Sequence, residues 1–186
     1  MKKLFLLIVC IVGATLANAQ SGKDKYYAYG VDFSYVKVIG ATESVSQLAT
    51  AFEDINELLI SEMKKYDFSR MVKEQVTIDI EPTMERLGYC DYEYIKLYRN
   101  EEFELDCNRI IAEYNLTEKE GKGIVLIAKL LNKSARRGTY YAVVFDIESR
   151  EILYCKEVTG KARGFGLRNF WAHSVYQVIK RTKVKL

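Results

Sequence analysis

The sequence predicts an α+β fold, a mixed and mainly antiparallel sheet of about five strands packed by two or three helices. Three observations lead there. Apolar residues recur at helical spacing from Val45 to Met63. Strand-like and helical segments alternate through the first two thirds of the chain. Three strand-like segments then follow one another between Ile124 and Val158, ahead of a last helix. Strands joined by short turns pair antiparallel, whereas an early strand–helix–strand unit permits one parallel pairing.

The first strand is expected from Ala28 to Ile39, with Tyr29, Val31, Phe33 and Tyr35 on one face and an offset before Val36 and Val38. Gly40 ends it. Ser44 followed by Gln47 reads as a capping box, since each side chain can satisfy a backbone N–H that the helix leaves free. In the helix that follows, Val45, Leu48, Phe52, Ile55, Leu59 and Met63 share a face. Val76, Ile78 and Ile80 alternate with polar residues as a second strand, which Pro82 terminates. Residues 83–99 are rich in tyrosine and carry no assignable period. Asn100 is the expected cap of a helix running to Asn115, with Phe103, Cys107, Ile110, Ile111 and Tyr114 inward. The apolar run Ile124–Ala128 suits a central strand buried on both faces. Residues 133–138 read as a hairpin loop, 139–147 and 151–158 as strands, and 168–181 as a helix burying Trp171, Val175, Val178 and Ile179.

The N-terminus reads as a signal peptide over residues 1–19. Lys2 and Lys3 precede an apolar stretch from Leu4 to Val12, and Ala17 and Ala19 form a small-x-small cleavage site ahead of Gln20. The stretch is too short to span a bilayer, which takes about 20 apolar residues, and no second run follows. Val9 before Cys10 does not fit a lipid-attachment site. The expectation is one domain over 20–186 in the periplasm, or secreted beyond the outer membrane, with no transmembrane segment in the mature form.

Charge is unevenly spread. Residues 20–120 hold 12 Lys/Arg and 21 Asp/Glu, a net of −9, while residues 121–186 hold 14 and 4, a net of +10. Two consequences are open: the basic part meets an anionic partner, or the two halves attract each other within one fold. Export and a nearly neutral total argue against nucleic acid. The mature cysteines are Cys90, Cys107 and Cys155. Either Cys90 pairs with Cys107 and leaves Cys155 free, or all three serve as small apolar side chains.

The densest candidate site is the segment from Gly160 to Asn169, between the last strand and the last helix. Glycines ahead of a helix N-terminus let backbone N–H groups approach an anion, and Lys161, Arg163 and Arg168 add charge. Lys161, Arg163, Gly164, Gly166, Arg168 and Asn169 are therefore the candidate ligand-binding residues. The segment lacks the dinucleotide and phosphate-loop fingerprints, so no cofactor is implied. It reads equally as a tight turn that needs positive φ, ringed by solvated cations. His173 is the only histidine, which argues against a histidine-based zinc site. A nucleophilic enzyme would need His173 as its base, whereas a structural role asks nothing of it. The run from Lys180 to Lys185 suits contact with anionic lipid or another envelope polymer, or plain solubility.

Phe145, Asp146 and Ile147, followed by Gly164, Phe165, Gly166, Arg168, Asn169, Phe170 and Trp171, resemble the C-terminal segment of an uncharacterised family of small exported proteins from outer-membrane bacteria. The resemblance covers roughly 50 residues and implies no activity. More loosely, a strand, turn, strand, glycine-rich loop and helix in that order is similar to curli-secretion and TolB-type envelope domains. That likeness implies a binding or assembly role alongside an envelope protein or an anionic envelope polymer. The expected function is a non-enzymatic binding module. The alternative is a small hydrolase or anion-binding enzyme using His173 and the basic loop.

Overall fold

A computed structural model of the chain describes residues 25–99 and 101–186. The expected signal peptide, its cleavage point between Ala19 and Gln20, and the helix cap Asn100 lie outside the described residues. The strands are β1 (Tyr26–Asp32), β2 (Lys37–Ile39), β3 (Val76–Ile78), β4 (Lys96–Leu97), β5 (Lys122–Asn132), β6 (Arg137–Asp146) and β7 (Ile152–Lys161). The helices are α1 (Val45–Ser61), α2 (Ser69–Val72), α3 (Glu81–Arg86), α4 (Cys107–Ala112) and α5 (Leu167–Arg181), with a 3₁₀ turn at Leu87–Tyr89.

The strands form one sheet, and it corrects the expected class. Four of the six pairings are parallel: β1 with β3, β1 with β5, β2 with β5 and β2 with β4. Only β5 with β6 and β6 with β7 are antiparallel. The protein is α/β with a mostly parallel sheet, not α+β with a mainly antiparallel one. The physical reason lies in the connections. The chain leaves β1 through α1 to reach β3, and leaves β3 through α3 and α4 to reach β5. Long crossovers return strands in the same direction, while hairpins reverse them.

β5 is the spine. One edge takes β1 from Lys122 to Ile127 and then β2 from Leu130 to Asn132, and the other edge takes β6. The expected single strand from Ala28 to Ile39 is thus broken at residues 33–36, near the expected offset. A register shift between Ala28 and Val31, centred on Gly30 at φ 79°, also turns the strand over. Tyr29 then faces one layer while Val31 and Phe33 face the other, so the expected four residues do not share a face.

α1 begins where expected, with Ser44 and Gln47 forming both halves of the capping box. Leu48, Phe52, Ile55 and Leu59 are buried, and Val45 and Met63, expected inward, are exposed. Phe52 stacks on Phe33 at 4.4 Å between ring centroids. Asn56 clamps the bent strand by accepting from Val31 N (2.8 Å) and donating to Val31 O (2.9 Å). Pro82 does end β3, but it does so by starting α3, where its missing N–H costs nothing. α4 is shorter than expected and is capped by Asp106, whose side chain accepts from Arg109 N.

α1 and α5 cover one sheet face, around Trp171. α4, Tyr114 and Leu116 cover part of the other. α5 lies very close to the sheet because Gly138 and Gly160 pair across β6 and β7 beneath it. A Cβ on Gly160 would sit 2.1 Å from Ser174 O, and one on Gly138 would sit 2.7 Å from Ser174 Oγ. Among the described residues, no helix is long and apolar enough to cross a membrane.

Candidate functional site, the basic end of the sheet

Register builds this site. Immediately beyond the Gly138–Gly160 pair, Arg137 stands directly opposite Lys161. The ladder continues one step further, where Ala162 N donates to Arg136 O at 2.8 Å. The β5–β6 hairpin and the end of β7 therefore bring Arg136, Arg137, Lys161 and Arg163 to one end of the sheet, and all four side chains are exposed. Residues directly opposite in an antiparallel pair are about 5 Å apart at Cβ, so like charges there repel. No carboxylate lies within ion-pair distance of any of the four among the described residues.

The turn into α5 then projects Phe165, which is 96 % exposed. Gly164 (φ 130°) and Gly166 (φ 80°) both take the left-handed backbone expected of a tight turn. α5 starts at Gly166 without a side-chain cap. Asn169 Nδ2 donates to Phe165 O (3.1 Å), and Arg168 Nε donates to Asn169 Oδ1 (3.2 Å). Gly166, Arg168 and Asn169 line a groove of about 600 Å³ whose other wall is the first half of α1, including Ser46, Gln47 and Thr50.

The six sequence-predicted residues are therefore divided. Lys161 and Arg163 join the sheet-end cluster with Arg136 and Arg137, while Gly166, Arg168 and Asn169 turn toward the α1 groove. Gly164 is the corner between them. Sequence reading missed Arg136 and Arg137, placing them in a hairpin loop. The signal that could have found them is the equal length of the two strands across the Asp146–Arg150 turn, which returns Lys161 to the level of Arg137.

His173 ties the corner together. Its Nδ1 lies 2.8 Å from Lys161 O, and its Nε2 accepts from Arg163 Nε at 2.8 Å. With a carbonyl against Nδ1 and a donor against Nε2, the neutral ring carries its proton on Nδ1 and both nitrogens are engaged. Arg168 points into the α1 groove, and Asp146 ends β6, at the far end of the strand from Arg137. Among the described residues, no nucleophile–base pair assembles around His173.

Mutual attraction between the halves takes up part of the charge. Lys129 bonds to Glu104 (3.2 Å), Tyr141 (3.2 Å) and Glu157 (2.6 Å). Burial alone would lower its pKa, but these three bonds raise it overall, so it stays an ammonium. Lys133 pairs with Glu43. Both pairs join the basic second half to the acidic first half.

A second polar centre, which sequence reading did not single out, lies at the carboxyl end of β1. Asp32 and Arg86 are both buried and pair at 2.9 Å. Tyr114 OH donates to Asp32 Oδ2 (2.9 Å), Ser34 N donates to Asp32 Oδ1 (2.8 Å), and Arg86 Nη2 reaches Glu113 (3.2 Å). Every oxygen of Asp32 is satisfied, and the bonds to Ser34 fix the break between β1 and β2. This network holds the backbone in shape. Among the described residues, no group of three or more His, Cys, Asp or Glu side chains is arranged to hold a metal ion. The chain matches no protein-family model, no curated protein sequence and no solved structure.

Proposed function

We propose that this chain is an exported, non-enzymatic binding module of the cell envelope that captures an anionic partner at the basic end of its sheet. The observation that carries the reading is Arg137 held directly opposite Lys161 with Arg136 and Arg163 beside them and no carboxylate in reach. Such a cluster works against stability in the isolated protein and becomes favourable when phosphate or carboxylate groups are supplied from outside. Phe165 at the tip adds an apolar contact to the same face of the partner. The engaged ring of His173 and the distance of Asp146 favour this reading over a hydrolase. The open edge of β7 is the weaker alternative surface, because Lys156 and Glu157 at its middle discourage a second strand from pairing. The expected leader over residues 1–19 would deliver the domain to the periplasm or beyond it, next to anionic lipid and polymer.

The test is binding of the full chain to polyphosphate, and to phosphatidylglycerol vesicles with phosphatidylcholine vesicles as the neutral control. Each cation near an anionic surface contributes about 1 kcal/mol, so R137A, K161A and R163A together should weaken binding roughly 100-fold. Binding of the wild type should also fall steeply with salt. A triple variant that binds both anionic probes as tightly as the wild type would remove the basis of the proposal.

A further inference from the structure

Of the two readings open for the cysteines, burial of Cys90 and Cys107 suits small apolar side chains, while Cys155 is exposed. Cys90 is buried in the layer with α1, whereas Cys107 is buried in the layer on the opposite face of the sheet. The β-sheet lies between them, so the alternative of a Cys90–Cys107 pair is ruled out by the fold. Cys107 meets a different thiol. It is the first residue of α4, which packs over β6 beside Val143, and Cys155 stands directly opposite Val143 on β7. Cys107 and Val143 belong to the same buried cluster, so the two thiols come to one face of the sheet, where their interaction raises the pKa of Cys107 and lowers that of Cys155. Cys155 is exposed and Cys107 is buried behind it.

We propose that Cys107 and Cys155 form a disulfide when the chain meets a disulfide oxidant, and that this bond staples α4 to the outer strand of the sheet. The geometry divides the two roles. Cys155 is accessible, and its hydrogen bond from Cys107 holds its pKa below the ordinary thiol value, so it supplies the attacking thiolate. With oxidised glutathione as oxidant, Cys155 Sγ attacks one sulfur, a mixed disulfide forms and one glutathione leaves. Cys107 Sγ then loses its proton and attacks the Cys155 sulfur, and the second glutathione leaves. Two protein thiols and one oxidised glutathione become one protein disulfide and two reduced glutathiones. Cys90 has no such neighbour. It contacts Tyr92, and burial pushes its thiol up to about 11, so it stays protonated and inert.

The staple has a structural purpose. α4 is only six residues long, too short to be stable by itself, and it is the one helix covering this face of the sheet among the described residues. Glu104, just ahead of it, reaches over Lys129 and Tyr141. Fixing Cys107 to β7 would hold that whole segment down over β6. The inference does not depend on the proposed partner.

The experiment incubates the full chain with a glutathione redox buffer, alkylates without reduction, digests and maps the peptides by mass spectrometry. The expected product links the peptides containing Cys107 and Cys155, with Cys90 alkylated only after unfolding. Closing a loop of roughly 50 residues should raise Tm by about 10 °C over the reduced chain, and C155S should abolish both the linked peptide and the shift. Free alkylation of both cysteines after oxidation would overturn the proposal. So would a persistent glutathione adduct on Cys155, or a linked peptide containing Cys90.

Discussion

The like-charge pair at Arg137 and Lys161 makes a prediction that runs against ordinary intuition about mutations, because K161E should stabilise the protein while disabling its binding. The two residues are directly opposite across β6 and β7, and both are exposed. Opposite charges on facing positions contribute roughly 0.2–1 kcal/mol, and like charges cost a similar amount. Converting repulsion to attraction at an exposed, solvent-screened site should therefore gain about 1 kcal/mol. In a domain of this size that raises Tm by about 2–4 °C. The backbone carbonyl of residue 161, which His173 contacts, is unchanged by the substitution. Differential scanning calorimetry at low salt is the assay, with K161Q as the neutral control. The order should be K161E above K161Q above wild type, and the spread should collapse in 1 M salt, where charges are screened within about 3 Å. Binding to the anionic probes should run in the reverse order, wild type above K161Q above K161E. If K161E is no more stable than K161Q at low salt, the two side chains do not oppose each other and the strained-cluster argument fails.

Two further substitutions test the scaffold. R86M removes the guanidinium facing the fully buried Asp32 and should destabilise by about 3–5 kcal/mol, the usual loss when a buried pair is broken, read from urea denaturation. A loss below about 1 kcal/mol would mean the pair is dispensable to the break between β1 and β2. G160A places a methyl group 2.1 Å from Ser174 O, which forces α5 away from β7 and should cost about 1–3 kcal/mol with increased hydrogen exchange along α5. Wild-type stability and exchange in G160A would show that the close approach of helix and sheet is not required.

Elements specified by short-range chemistry were legible in the sequence. The Ser44–Gln47 capping box, the apolar stripe from Leu48 to Leu59, the doubly buried β5 and the core face of α5 all appear as read. What escaped depends on contacts distant in sequence. The parallel pairing of β1 with both β3 and β5 follows from where the crossovers return, which no local pattern records. The bulge at Gly30 exchanges the two faces of β1, because one extra residue inverts a period of two. Pro82 carries two meanings, strand end and helix start, and only the second explains residues 83–86. At the site, Lys161, Arg163 and Arg168 were visible as a run of basic residues. Their separation into a sheet-end cluster and a groove was not, since it rests on the register of β6 against β7. The thiol contact of Cys107 with Cys155 was hidden for the same reason.

That register also explains why four cations of the second half gather apart from its carboxylates. In the β5–β6–β7 meander, one end gathers Arg136, Arg137, Lys161 and Arg163, with Phe165 projecting beyond them. The other end is the Asp146–Arg150 turn, and three of the four carboxylates after residue 120, Asp146, Glu148 and Glu151, lie there. Asp146 is used locally, where the Ser149 backbone and hydroxyl groups donate to it and hold its pKa below the ordinary carboxylate value. Ten-residue strands separate the two ends by about 33 Å, several Debye lengths in physiological salt. Strand length thus keeps these three carboxylates from neutralising the four cations at the opposite end, while Glu157 at mid-strand pairs with Lys129. The result is a meander polarised along its strands, a field that, on the proposed function, would turn the basic end and its phenylalanine tip toward an anionic surface before contact.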